Sequence, residues 1–314
     1  MKKKLVAGAV TLLSVVTLAA CANGTNKDVV TMKGDTITVS DFYDEIKTNQ
    51  GAQQVLFQMT INKVFEKEYG SKVSDKEVDK ELAKQKKQLG NQFDAYLAKQ
   101  GLTEETAKKQ IRSNMLLEYA VNQAAKKDIK ESDYKTAFES YTPEVTAQII
   151  KLDSEDKAKE VLEAAKAEGA DFAQIAKENS TDTATKDKGG EVKFDSGTAD
   201  IPSQVKEAAF KLDENGISDV ITVSAGQNYS PSYYIVKLDK KTEKGSDWKK
   251  YEKRLKEIII EGRKQDTNYI RSIIAKAMTN ANIKVKDDAF KSTFNQYLQN
   301  IGVKTSDSSS SSKK

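Results

Sequence analysis

The residue types that could do chemistry in this sequence are defined first by what is missing. The 314-residue chain contains no histidine and a single cysteine, Cys21. Ser-His and Cys-His nucleophile pairs, histidine-ligated zinc and cysteine-rich metal sites all need residues that the sequence lacks. We therefore exclude conventional hydrolase and metalloenzyme chemistry, and we predict neither a metal nor a cofactor.

The one cysteine follows an apolar stretch that ends in small residues. A basic start, Lys2 to Lys4, precedes an uncharged run of 16 residues that closes with Leu18-Ala19-Ala20 directly before Cys21. Such a run is shorter than the ~20 residues that span a bilayer, and the whole arrangement is typical of an export signal. Cleavage before the cysteine would free its amine, and its thiol could carry a diacylglyceryl group. Leu-Ala-Ala-Cys resembles the bacterial lipobox.

This resemblance predicts a signal peptide over residues 1–20 and a lipidated Cys21 with a short tether over residues 21–27. The alternative is an ordinary signal peptide followed by an incidental or buried cysteine. Several acyl chains hold a protein stably at a bilayer, whereas one chain is marginal. The mature chain is therefore expected on the extracellular face of the cell membrane, with lipid at Cys21 as its membrane contact.

The charge balance argues against a nucleic-acid partner. The chain carries 51 basic and 47 acidic residues, and without Lys2, Lys3 and Lys4 the balance is 48 to 47. A nearly neutral and evenly spread charge leaves no basic stripe for a phosphate backbone. Aromatic residues make up 7% of the sequence and do not alternate with basic blocks, so no stacking platform for bases is predicted either.

Residues 28–141 are predicted to form a mainly helical N-terminal segment. Two short β-prone runs around Gly34 predict a small hairpin, and Ser40 is predicted to cap the helix that follows. Apolar residues then recur at spacings of three and four, as in amphipathic helices. Ser74-Asp-Lys-Glu77 predicts a capping box at one helix start, and Thr103 predicts another start.

Residues 142–240 are predicted to form an α/β region. Pro143 breaks the helical pattern, because the residue before a proline is pushed out of the helical conformation. The following runs alternate between strand and helix periodicity. The predicted strands cover 145–152, 220–223 and 233–238, and the predicted helices cover 156–168, 171–178 and 203–212.

Residues 241–300 return to a helical pattern. Trp248, Leu255 and Ile259 lie on one apolar face, and such a face needs a partner. We therefore predict that the N- and C-terminal helical segments pack together as one discontinuous domain. Residues 301–314, rich in serine and lysine, are predicted to be a disordered tail.

Several motifs in the α/β region occur in an order that points to one family. They are Val145-Thr-Ala-Gln-Ile-Ile-Lys-Leu, Asp171-Phe-Ala-Gln-Ile-Ala-Lys-Glu-Asn-Ser-Thr-Asp182, Lys188-Gly-Gly-Glu191, Lys206-Glu-Ala-Ala-Phe-Lys-Leu and Gly216-Ile-Ser-Asp-Val220. These motifs are similar to landmarks of the parvulin domain. Together with the lipobox and the flanking helical segments, they make nearly the whole chain resemble the PrsA-type foldase lipoproteins of Gram-positive bacteria.

The resemblance implies a fold class and a function. The fold would be α+β, with a mostly helical, discontinuous chaperone-like domain and an inserted parvulin-like α/β domain. Parvulins are peptidyl-prolyl isomerases, and the PrsA type assists exported proteins in folding. The implied partners are unfolded or newly secreted polypeptides.

The resemblance also implies a peptide pocket, built in the family from a histidine in the opening strand, another in the closing strand, an acidic or cysteine side chain, and a wall of Met and Phe. Gln148 would stand at the first histidine and Tyr234 at the second. Ile201 and Val205 would replace wall residues. The predicted pocket comprises Gln148, Asp182, Ile201, Val205, Phe210 and Tyr234.

These positions also have a simpler interpretation. Gln148 and Tyr234 can be ordinary strand residues, and Asp182 can cap a turn. The three apolar candidates can belong to the core.

Three functions stay open at this point. The first is a membrane-anchored foldase whose isomerase activity is weak or lost, because both family histidines are replaced. The second is a fully active isomerase. The third is a solute-binding lipoprotein, which shares the anchor but usually needs two α/β lobes where one is visible. Whether the chain is an enzyme and whether it forms a homodimer are also left open.

Overall fold

The structure is a computed structural model that describes residues 27–224 and 230–298. The predicted signal peptide over 1–20, the lipidated Cys21 and the tail over 301–314 lie outside the described residues. The chain divides into two compact units. One unit combines the residues up to Gly70 with those from Ile274 onward, and the other runs from Ser71 to Ile273.

The secondary structure is mainly helical with a small amount of sheet. The helices are α1 Val39–Ile46, α2 Gln50–Tyr69, α3 Asp75–Leu89, α4 Phe93–Lys99, α5 Glu104–Lys127, α6 Glu131–Ser140, α7 Glu155–Lys166, α8 Phe172–Asn179, α9 Ser203–Lys211, α10 Glu252–Gln265, α11 Thr267–Asn280 and α12 Lys291–Leu298. The strands are β1 Asp28–Met32, β2 Asp35–Thr38, β3 Val145–Leu152, β4 Glu191–Phe194, β5 Ile221–Val223 and β6 Ser232–Lys241. The fold class is α+β, as predicted.

The first unit opens with the predicted hairpin. β1 and β2 pair antiparallel around Gly34, whose φ of 88° suits a residue without a side chain. The cap of α1 differs from the prediction, since the Thr38 hydroxyl, and not Ser40, accepts the backbone N–H of Asp41. Ser40 falls inside the helix because Thr38 already has the extended backbone that a cap requires.

α2 and α12 pack against each other in the first unit. The Phe57 ring stacks on Tyr297 with 4.4 Å between centroids and meets Phe294 edge-on at 5.3 Å. Ile61, Val64 and Phe65 of α2 are buried. The last residues of the described chain therefore pack against the first long helix. The wider discontinuous domain of residues 28–141 and 241–300 stays a prediction.

Two helices of the second unit, α3 and α5, begin where the sequence predicted. Ser74 and Glu77 form the predicted capping box of α3, and Thr103 caps α5 with Thr106 as its partner. α10 packs against α5 and α6. The Arg263 guanidinium on α10 donates 2.9 Å to the carbonyl of Ala125 near the end of α5, so a C-terminal helix supplies hydrogen bonds that an N-terminal helix end needs.

The α/β region contains a four-stranded antiparallel sheet in the order β4-β3-β6-β5. β3 covers the predicted residues 145–152, while β6 extends beyond its prediction at both ends. β4 was missed, because Glu191-Val-Lys-Phe is four residues long and half charged. The strand forms because it pairs with β3 at the edge of the sheet.

Two apolar clusters cover opposite faces of this sheet. One cluster contains Ala147, Ile149, Val236 and Leu238 together with Ile201, Val205 and Ala209 of the α9 region. The other contains Ile150, Leu152 and Ile235 with residues of α7 and α8. We call the first the α9 face and the second the α7–α8 face.

No helix within 27–224 and 230–298 is long and apolar enough to cross a membrane.

Candidate functional site

The two strand residues predicted at the histidine positions lie on opposite faces of the sheet. Gln148 pairs with Lys237, and its neighbours Ile149 and Ile150 pair with Val236 and Ile235. Cross-strand partners share a face, and faces alternate along a strand. Gln148 therefore shares the α7–α8 face with Ile150. Tyr234 packs against the cluster on the α9 face. The structure does not bring Gln148 and Tyr234 together.

Gln148 makes its contacts on its own face of the sheet. Its Nε2 donates 3.3 Å to Oδ1 of Asp239. Its Oε1 is buried and accepts no hydrogen bond from any described residue. These contacts fit a strand residue, which was the simpler of the two interpretations.

Ile149, the neighbour of Gln148 on β3, shares a face with Tyr234, as do Val145, Ala147 and Lys151. Its side chain is 3% exposed and belongs to the cluster on the α9 face. Its backbone N–H donates 2.8 Å to the carbonyl of Gly190. Sequence reasoning missed this position, although the period-two alternation from Val145 through Ala147 to Ile149 already separated it from Gln148.

Gly190 is required for this part of the site. A side chain at Gly190 would place its Cβ 2.4 Å from the carbonyl oxygen of Ile149, and the residue also has a φ of 80°. Both the close backbone approach and the left-handed conformation therefore demand glycine. The Lys188-Gly-Gly motif brings the loop before β4 onto the opening strand.

Tyr234 is half-buried at the edge of the α9 face. Burial raises the pKa of its phenol, and the carboxylates of Asp182 and Asp153 raise it further. The hydroxyl is therefore neutral at physiological pH and can donate a hydrogen bond. Tyr234 pairs with Lys151 of β3 and with Ile221 of β5.

Asp182 is held near Tyr234 through the backbone of Lys151. The carbonyl of Lys151 accepts the N–H of Thr181 at 2.8 Å, and the buried Ser180 hydroxyl accepts the N–H groups of Lys151 and Asp182. Lys151 thus links the two residues: its backbone is hydrogen-bonded to the segment that ends at Asp182, and Tyr234 is its cross-strand partner.

The Asp182 carboxylate is largely occupied by its own loop. Oδ2 accepts the Thr185 hydroxyl at 2.6 Å, and Oδ1 accepts the N–H of Ala184 at 3.3 Å. Thr185 is buried and its carbonyl accepts the N–H of Gly190. Asp182 therefore caps the turn that leads to the two glycines.

The apolar candidates form the floor of the same face. Val205 is fully buried and Ile201 is 8% exposed. Phe210 is partly buried and its ring lies 5.8 Å from that of Phe194. The structure brings Ile201, Val205, Phe210 and Tyr234 to one cluster, with Asp182 beside Tyr234.

A second group of polar residues, missed from the sequence, joins the sheet to the flanking helices. Asp195 follows β4 and accepts hydrogen bonds from Arg254 of α10, from Tyr141 and from Thr198. Burial alone would raise the pKa of Asp195, but the hydrogen bonds and charge of Arg254 outweigh it and hold the pKa below its ordinary value. The pKa of Tyr141 is raised, mainly by burial and also by the negative charge of Asp195. No local sequence pattern marks an ion pair of this kind.

The fold and this face define a class: a small four-stranded α/β domain of the parvulin type inserted between helical segments. A family model described as a rotamase, PPIC-type PPIASE domain, matches residues 141–240. Curated relatives include a foldase protein PrsA of Streptococcus sanguinis strain SK36, 62% identical over 96% of this chain and 90% of the relative. Another is a foldase protein PrsA of Streptococcus gordonii strain Challis, 59% identical over the full length of both chains.

Solved structures agree with this assignment. The crystal structure of foldase protein PrsA from Streptococcus pneumoniae strain Canada MDR_19A has a TM-score of 0.77 and 54% identity, and the match covers 86% of this chain and 99% of that one. The foldase protein from Lactococcus lactis has a TM-score of 0.64 at 38% identity, with the same coverage. This chain belongs to the PrsA foldase family.

Proposed function

We propose that this chain is a membrane-anchored foldase that holds newly secreted polypeptides outside the cell, and that its PPIC-type domain has weak or lost isomerase activity. Family membership supports the foldase role. One observation supports weak or lost isomerase activity, namely the composition of the α9 face. Ile149 and Tyr234 lie there on the two central strands, and the sequence contains no histidine.

Weak activity follows from the chemistry that isomerisation requires. The reaction breaks no bond, but it crosses a barrier of ~18–20 kcal/mol by weakening amide resonance. A site must bind the twisted amide better than either planar form. Tyr234 offers a neutral hydroxyl, whereas the Asp182 carboxylate already accepts two hydrogen bonds from its loop. This set provides fewer free polar groups than an imidazole pair would.

We propose that the exposed edge of the α9 face still binds extended peptide. Phe210 and Tyr234 keep part of their rings accessible above the buried floor of Ile201 and Val205. Asp182 lies beside Tyr234 and could accept a backbone N–H of a bound chain. Gln148 would not take part, because its side chain lies on the opposite face.

The membrane anchor is proposed from the sequence around Cys21. The basic start, the 16-residue apolar run and the lipobox-like Leu-Ala-Ala-Cys support it. Labelling with palmitate in cells should be lost in Cys21→Ser and kept in a variant such as Ser40→Ala. Unchanged labelling of Cys21→Ser would contradict the anchor.

A fully active isomerase is the second candidate, because the resemblance implies that Asp182 and Phe210 keep residue types of the family pocket. Turnover of proline-containing peptides by the mature chain, compared with Asp182→Ala and with the uncatalysed reaction, separates the two. We expect rates close to the uncatalysed one together with delayed aggregation of a denatured client protein. Rapid turnover that Asp182→Ala abolishes would overturn the proposal of weak activity, and a chain that does not delay aggregation would overturn holding. A solute-binding role has no support from the family.

A further inference from the structure

The β1–β2 hairpin carries a group of exposed apolar side chains on one face. Val30 and Ile37 are direct cross-strand partners, and Met32 follows Val30 by two residues, so all three side chains share that face. Their exposed fractions are 48%, 39% and 51%. We call Val30, Met32 and Ile37 the hairpin patch.

Two features of the hairpin favour a partner. A two-stranded sheet alone is marginally stable in water, and every residue of β1 is exposed. Contiguous apolar side chains on a surface mark contact sites, while single ones are common.

We propose that the hairpin patch docks on the lipid surface to which Cys21 is tethered. This rests on the proposed lipid anchor. Seven peptide steps separate Cys21 from Asp28, the first residue of β1. A chain advances at most ~3.6 Å per residue, so the start of the hairpin lies within about 25 Å of the anchored cysteine. The tether therefore keeps the hairpin patch close to the apolar interior of the membrane.

Tethering makes such a weak contact effective. A short linker turns the second contact into an intramolecular one with an effective concentration of about millimolar. Three partly exposed side chains that would not bind a free bilayer tightly can then stay docked. The patch would orient the foldase on the membrane instead of supplying its anchor.

The charges around the patch are balanced, so they favour neither a neutral nor an anionic lipid surface. Lys27 and Lys33 balance Asp28 and Asp35 over residues 27–38, and Asp35, the cross-strand partner of Met32, lies at the edge of the patch on the same face. Lys33 lies in the turn, where its long side chain can lie along apolar surface and keep its ammonium group in water. Docking should therefore depend little on the anionic lipid content and on salt, unlike attachment through a basic patch.

The experiment uses the single thiol of the mature chain. Cys21 is coupled to a maleimide-headgroup lipid in phosphatidylcholine vesicles that contain brominated acyl chains, which quench nearby tryptophan. Met32→Trp reports on the patch, and Met59→Trp on α2 is the matched control because both methionines are 51% exposed. Trp248 contributes the same background to both variants.

We expect at least twofold stronger quenching for Met32→Trp than for Met59→Trp, with little change when half of the lipid is phosphatidylglycerol. Equal quenching of the two variants would overturn the proposal. Self-association of a vesicle-free Cys21→Ser chain that Met32→Asp abolishes and Met59→Asp leaves intact would assign the patch to a second copy, and would also overturn it. Chemical coupling replaces cellular lipidation in this experiment. The quenching therefore tests docking alone, while palmitate labelling in cells tests the anchor.

Discussion

Arg254 and Asp195, 59 positions apart in the sequence, form a two-pronged ion pair between α10 and the loop after β4. Arg254 Nε donates 2.6 Å to Oδ2 and a terminal nitrogen donates 2.8 Å to Oδ1. The Asp195 side chain is 8% exposed, and Tyr141 at the entry to the α/β domain donates to the same carboxylate. One buried carboxylate thus connects the inserted domain to the chain on both of its sides.

Replacing Arg254 by methionine should destabilise the second unit. It leaves the Asp195 carboxylate buried without its cation, which costs about 2–4 kcal/mol once the partial exposure of Arg254 is allowed for. Urea unfolding followed by the fluorescence of Trp248 measures the change. Lys109→Met, which removes one partner of an exposed pair with Glu105, should leave stability almost unchanged. Equal losses in the two variants would contradict the role of the buried pair.

The same pair predicts a dependence of stability on acid. The pKa of Asp195 is lower in the folded chain than in the unfolded one, so its contribution is present above the unfolded value of about 4 and is lost as pH falls below it. Asp195→Asn should therefore be less stable than the natural chain near neutral pH, and the gap should shrink between about pH 4 and pH 2. A constant gap across that range would show that the charge of Asp195 does not matter.

Gly197 and Gly262 should respond in opposite ways to alanine. A Cβ at Gly197 would lie 2.4 Å from a side-chain carbon of Ile258 on α10, so Gly197→Ala must push the loop and the helix apart. Gly262 lies inside α10 with open space around it, and Gly262→Ala should stabilise the helix by about 0.5–1 kcal/mol. Thermal unfolding of both variants tests the pair. Stabilisation by Gly197→Ala would mean that the contact between loop and helix is not tight.

Asp182→Ala should loosen the loop between Asp182 and Gly190. The loss of the bonds to Thr185 and Ala184 resembles the loss of a helix cap, which costs about 1–2 kcal/mol. Hydrogen exchange of the amides of Lys186 and Gly190 should become faster. Thr185→Val, which removes one of the two bonds, should show a smaller effect. Unchanged exchange in Asp182→Ala would mean that the carboxylate is free for peptide and does not hold the turn.

Restoring imidazole groups tests which β3 residue belongs to the site. Ile149→His with Tyr234→His places both rings on the α9 face and should raise turnover of proline peptides at least tenfold over the natural chain. Gln148→His with Tyr234→His puts the rings on opposite faces and should not exceed Tyr234→His alone. Ile149→His buries a polar ring, so circular dichroism must first show that the variant is folded. Greater activity from the Gln148 variant would contradict the assignment of faces.

The sequence alone determined the local structure and the chemical inventory of this protein. Caps at Ser74 and Thr103, the break at Pro143 and the bounds of β3 follow from interactions within a few residues, which the side chains themselves encode. The absence of histidine removed the imidazole chemistry before any fold was known.

Tertiary structure decided which residues meet. β4 and the pair between Arg254 and Asp195 depend on partners far along the chain, and no local pattern encodes them. The face on which Gln148 lies depends on strand register, and a shift of one residue exchanges the two faces of a strand. Packing of both apolar faces sets that register. The alternation along β3 separates Ile149 from Gln148, but only the assembled sheet shows that Tyr234 lies on the face of Ile149.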